Sequence, residues 1–171
     1  ALLLFTNISS GPTVFGDCTL SPVSGSSCDG CHVHTGRFLP TTTISIKDSV
    51  GNFVTNGLYK PFQNYTITIQ VFAPPSSELP AITPLYGAQA VVLSQQSPYF
   101  PQAGVLSYPS TDNNALGTGA QISWVSGRTY LEHNQRCTSG IFNVHWKAPV
   151  PGMGTVGIYA AGLAVDNNAA F

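Results

Sequence analysis

Two thiols and an imidazole stand close together in the run Cys28-Asp29-Gly30-Cys31-His32. That spacing suits one chemistry in particular. Two cysteines separated by two residues can add across both vinyl groups of a single porphyrin, and the histidine that follows then lies beneath the ring with its imidazole on the iron. Asp29 and Gly30 are small and permissive, so the tight loop is feasible. A C-x-x-C disulfide and half of a zinc site are the competing uses. A structural zinc centre takes four ligands, commonly with a second paired motif, and the chain holds no second pair. A redox C-x-x-C usually opens a helix in a thioredoxin-like α/β pattern, which is also missing. The segment is expected to carry one covalent haem c.

Such an iron has room for a sixth ligand, and the remaining candidates are His34, His133, His145 and Met153. His34 is too near His32 to cross easily to the opposite face of the same ring, and is better placed to bond a propionate or to touch a neighbouring molecule. His145 shares a strand face with Asn143, opposite Phe142, Val144 and Trp146, which is the pattern of a half-exposed strand histidine. Met153 sits in a Pro-Gly-Met-Gly turn, where methionine more often packs than ligates. His133 follows a short strand and lies near Cys137. The two remaining cysteines, Cys18 and Cys137, are expected to pair as a disulfide, which closes a long loop and draws the residues around 133 towards the haem segment. Two buried thiols are the alternative. Axial ligation by His32 and His133 would give six-coordinate, low-spin iron, fit for passing electrons rather than binding a substrate. Arg37 is a candidate partner for a propionate, or an ordinary surface arginine.

The elements that hold these groups are expected to be strands. Charged residues make up 8% of the 171, well under the usual quarter, whereas hydrophobic residues make up 43%. Gly (17) and Pro (13) are plentiful and helix formers scarce. Residues 6 to 40 lack periodicity and read as a long ordered loop that needs an anchor. Alternation then begins: Ile44 and Ile46; a Gly51-Asn52 hairpin turn; Tyr65, Ile67, Ile69 and Val71 against Thr66, Thr68 and Gln70. Tyr86 to Leu93 is a more fully buried run. A short strand is expected at Ala103 to Tyr108, inside a Pro/Gly/Asn-rich excursion over 94 to 120. Strands follow at Gln121 to Val125, Thr129 to Glu132, Phe142 to Trp146 and Thr155 to Ala161. About seven to nine short strands without a long amphipathic helix point to an all-β, antiparallel sandwich. The chain reads as a single domain over 1–171, with an extended N-terminal segment over 1–40 and the sandwich over 41–171.

The net charge of −1 and the lack of a basic patch exclude the footprint of a nucleic-acid binder. So few charges suggest a surface partly covered by neighbours or glycans, and Asn7-Ile8-Ser9 and Asn64-Tyr65-Thr66 are glycosylation sequons. No run approaches the roughly 20 apolar residues of a membrane span. Ala1 to Phe5 reads as the start of a mature chain whose leader is gone, or as an apolar strand that docks on a neighbouring subunit. No Ser-His-Asp order, paired carboxylates or phosphate-binding glycine loop stands out, so no enzyme is expected.

These residues resemble the choice-of-anchor V domains of secreted bacterial proteins, which are themselves similar to the reeler domains of eukaryotic surface proteins. The resemblance runs over about residues 25 to 168 and rests on Gly25-Ser26-Ser27 leading into Cys28 to His32, on Tyr65 to Ile69, on Tyr130-x-x-His133, on Phe142, Trp146, Ala148 and Pro149, and on Gly152, Gly154, Thr155, Val156, Tyr159, Ala160, Ala161 and Gly162. It departs at 74–84 and 94–120, which are longer and richer in Pro, and at the Gly-Asp-Tyr-like ending, which is missing. The resemblance implies an immunoglobulin-like sandwich outside the cell, with His32 and His133 as a pair facing one haem. The function expected is an extracellular or periplasmic monohaem electron-transfer protein with an unknown redox partner, self-assembling through an edge strand or its N-terminal strand. The alternative is a secreted structural or adhesion module with two disulfides and no haem.

Overall fold

A computed structural model of the chain describes residues 16–24, 38–74, 82–107 and 119–166. Among these lie eight strands: β1 (Thr41–Asp48), β2 (Asn64–Phe72), β3 (Leu85–Ser94), β4 (Val105–Ser107), β5 (Ala120–Val125), β6 (Arg128–His133), β7 (Ile141–Lys147) and β8 (Val156–Val165). They form two four-stranded sheets, ordered β1-β2-β7-β4 and β5-β6-β3-β8, in which every strand pairing is antiparallel. The expected all-β sandwich is therefore the architecture of the described residues, and each expected strand has a counterpart within a few residues.

Alternation decides which side chains fill the space between the sheets. From the first sheet come Tyr65, Ile67, Ile69 and Val71 of β2, Phe142, Val144 and Trp146 of β7, and Leu106 of β4. From the second come Ala88, Ala90 and Val92 of β3 and Leu131 of β6. The small alanines of β3 face larger side chains in the same cluster. Trp146 is fixed at three points: its indole donates to the Ala103 carbonyl at 2.8 Å, and the rings of Tyr59 and Tyr65 lie 5.6 and 5.5 Å from it.

β3 is buried on both faces from Gly87 to Ser94. Its outer side chains Val91 and Leu93 join Tyr130 in a second cluster, closed by Phe100, Val125 and Tyr159. The chain after β3 folds back over this face: the Ser94 amide donates to the Pro101 carbonyl at 2.8 Å, and the Ala103 amide donates to the Val92 carbonyl at 2.9 Å. The run from Tyr86 to Leu93 lacks an alternating pattern for this reason: both faces of its strand are covered.

The expected hairpin turn at Gly51-Asn52 forms, as a short one: the amides of Asp48 and Val54 donate to the carbonyls of Asn52 and Ile46, each at 2.9 Å. The Asp48 carboxylate accepts from the amides of Val50 and Asn52, and a single bridge joins Lys47 to Phe53. The strand that pairs β1 along its whole length is β2, after a longer excursion.

Candidate functional site

The candidate site is assembled from β6 outward, because β6 carries the one expected iron ligand among the described residues. Cys28, Cys31, His32, His34 and Arg37 lie outside the described residues, as do the sequon at Asn7 and the apolar stretch at Ala1 to Phe5. His133 is the last residue of β6 and half-buried. Its Nδ1 lies 3.3 Å from the Ala88 carbonyl oxygen. A carbonyl can only accept, so Nδ1 carries the ring proton and Nε2 is the basic nitrogen. This is the arrangement that orients a metal-binding imidazole, in which a backbone carbonyl fixes the tautomer and raises the basicity of the other nitrogen.

The other candidate ligands sit elsewhere. His145 is on β7 in the opposite sheet, registered against Thr66 and Ser107, half-buried as its alternation predicts. Met153 packs against the main core, and its carbonyl accepts from the Ser94 hydroxyl at 3.2 Å.

Next to His133, Glu132 is fully buried. Its carboxylate accepts from Gln121 Nε2 at 2.8 Å, from the Ser123 hydroxyl, and at the long distance of 3.5 Å from Gln89 Nε2. Buried carboxylates persist only when hydrogen-bonded in this way. Gln89, also fully buried, connects this cluster to the N-terminal segment: its Oε1 accepts from the Cys18 amide at 2.7 Å, and its Nε2 donates to Gly16 O at 3.2 Å. Asp17 extends the network. Its carboxylate accepts from the Thr19 amide at 2.9 Å, the Ser21 hydroxyl at 2.8 Å and the Tyr130 hydroxyl at 3.1 Å. Burial, then the Asp17 charge, pushes the Tyr130 phenol well above the ordinary tyrosine value. The chain that leads towards Cys28 is thus docked by hydrogen bonds on β3 and β6, the strands that also hold His133.

That docking replaces an expected covalent one. No disulfide joins Cys18 to Cys137, and both residues are buried. Cys18 is held over Gln89, on the outer face of the second sheet, where Val91 and Leu93 also point. Cys137 belongs to the inner cluster, and its thiol donates to the carbonyls of Gln135 at 3.3 Å and Gly119 at 3.5 Å. The sequence distance that favours a bridge says nothing about where the fold places each thiol. Burial pushes the Cys137 thiol above its usual value, as befits an inert structural cysteine.

Sequence reasoning missed the Asp17–Gln89–Glu132 network and one backbone position. The only signals were two polar residues, Gln89 and Glu132, inside otherwise apolar strands, and a glycine, Gly87, within a strand interior.

Comparison with known proteins yields architecture. No family model matches the chain, and no curated protein does. Among solved structures, a reeler-domain fragment of human F-spondin aligns over 73% of this chain and 88% of its own, at 17% identity and a TM-score of 0.46. A second human F-spondin fragment aligns over 82% and 90%, at 18% identity and 0.46. The Reelin-N domain of F-spondin covers 73% and 86%, at 18% and 0.44. The chain is similar in shape to these reeler domains at low identity, and a likeness this distant carries no functional argument.

Proposed function

We propose that this β-sandwich module is an extracellular c-type cytochrome that carries one haem c, attached through Cys28 and Cys31, with His32 and His133 on the iron. The observation that carries the proposal is the C-x-x-C-H sequence itself, together with an imidazole at His133 whose tautomer leaves Nε2 as the basic nitrogen. The docking of residues 16–21 on β3 and β6 supports it, because the segment upstream of the motif is then held near the strand that ends in His133. Bound there, a haem supplies one-electron transfer. The work of the polypeptide is to orient His133 through the Ala88 carbonyl and to exclude water with the packed strands around it. Arg37 is assigned to a propionate in the same proposal. Self-assembly is a further part of it: β1, β4, β5 and β8 are the sheet edges, and an edge accepts a strand from a neighbour.

The second reading is a reeler-like structural or adhesion module with no haem. It requires nothing beyond the sandwich that the described residues form. Absorption separates the two. A Soret band that survives acid-acetone extraction belongs to the haem protein, and a colourless preparation from the native source belongs to the module. His133→Ala then tests the ligand: the haem stays attached, the low-spin spectrum is lost, and the reduced variant binds carbon monoxide where the parent does not. An unchanged spectrum removes His133 from the iron.

A further inference from the structure

Gly87 lies inside β3 in a stretch with no turn or positive φ to call for glycine. Glycine within a strand weakens it, so its presence asks for a reason. The surroundings supply one. A Cβ added to Gly87 would stand 2.8 Å from Cε1, 2.9 Å from Nδ1 and 3.2 Å from Cγ of His133, and these three ring atoms are its nearest neighbours. The imidazole occupies the space that any other residue at 87 would claim for its own side chain. The next residue, Ala88, supplies the carbonyl that meets Nδ1. Two consecutive positions of β3 therefore set the ring: one by leaving it room, the other by fixing its proton.

From this geometry we infer that Gly87 is a positioning residue for the axial imidazole, and that any side chain at 87 displaces the His133 ring from the Ala88 carbonyl and from the iron. The inference rests on the haem reading above. It centres on the ring, since the φ of Gly87 is not positive and the three atoms nearest an added Cβ all belong to His133. His133 turns on two torsions, so the ring yields before the strand does.

The test uses the haem-loaded full chain. Gly87→Ala is expected to keep its covalent haem, because the attachment segment is untouched, while losing much of the low-spin spectrum and gaining carbon-monoxide binding when reduced. Gly162→Ala is the comparator. Its added Cβ would meet Val71 Cγ2 at 2.4 Å and Thr42 Oγ1 at 2.6 Å, so it should lose stability and leave the spectrum low-spin. A G87A protein as fully low-spin as the parent overturns the inference and leaves the haem reading standing. A parent that lacks haem overturns both. A double-mutant cycle guards against poor folding of G87A: the stability loss from G87A should vanish in the His133→Ala background, where no ring remains to meet the methyl group. An equal loss in both backgrounds overturns the role.

Discussion

Tyr130 and Glu132 hold opposite ends of the network that docks residues 16–21, and each makes a prediction of its own. The Tyr130 phenol is held above its ordinary value by burial and by Asp17. An unfolded tyrosine gives up its proton near pH 10, earlier than the folded one. The contribution of Tyr130 to stability is therefore complete below about pH 10 and is lost as pH rises beyond it. Tyr130→Phe should show a flatter alkaline limb in urea midpoints measured between pH 8 and 11; parallel limbs would contradict the burial of this hydroxyl against Asp17. Glu132→Ala removes an acceptor from Gln121 and Ser123. Leaving such donors unsatisfied should cost about 2–4 kcal/mol by urea denaturation. A loss under about 0.5 kcal/mol, typical of surface changes, would mean that the cluster is solvated.

At the scale of elements, the strands were legible because alternation is a direct consequence of backbone pleating. β2 and β7 read cleanly: Tyr65, Ile67, Ile69 and Val71, and then Phe142, Val144 and Trp146, are the residues that fill the core. What was not legible depends on which segments cover a face. β3 looked merely apolar because a returning loop and residues 16–21 cover its outer side, and no local pattern announces that cover. The short Gly51-Asn52 hairpin turn is legible because turn chemistry is local, whereas the full-length partner of β1 comes from further along the chain. The Cys18–Cys137 bridge is absent for a related reason: sequence gives cysteine count and spacing but not where the fold places each thiol. His133 was legible as a candidate, and the glycine beneath its ring was not. Core and surface predict opposite mutational costs. Phe142→Ala, at 1% exposure, should destabilise by about 3–5 kcal/mol, and Trp124→Ala, at 71%, by no more than about 0.5 kcal/mol. Similar costs at both sites would contradict the assignment of the inner face.

At the scale of the molecule, β1, β4, β5 and β8 are the outermost strands among the described residues, and the chain has few charges with which to repel its copies. No helix among the described residues is long and apolar enough to cross a membrane. Large apolar side chains stand exposed on or beside edge strands, among them Val105 on β4 and Trp124 on β5. Light scattering over a range of concentrations should find assemblies of repeated subunits, and a monomer at all concentrations would remove self-assembly from the proposal.

Intact-mass and peptide mass spectrometry of protein from its native source weigh the main claim most directly. The account predicts a chain heavier than its polypeptide by one haem, with the added mass on the fragment that spans Cys28 to His32. A mass equal to the bare polypeptide, or one lowered only by the hydrogens of disulfides, would contradict it and leave a sandwich without a redox centre.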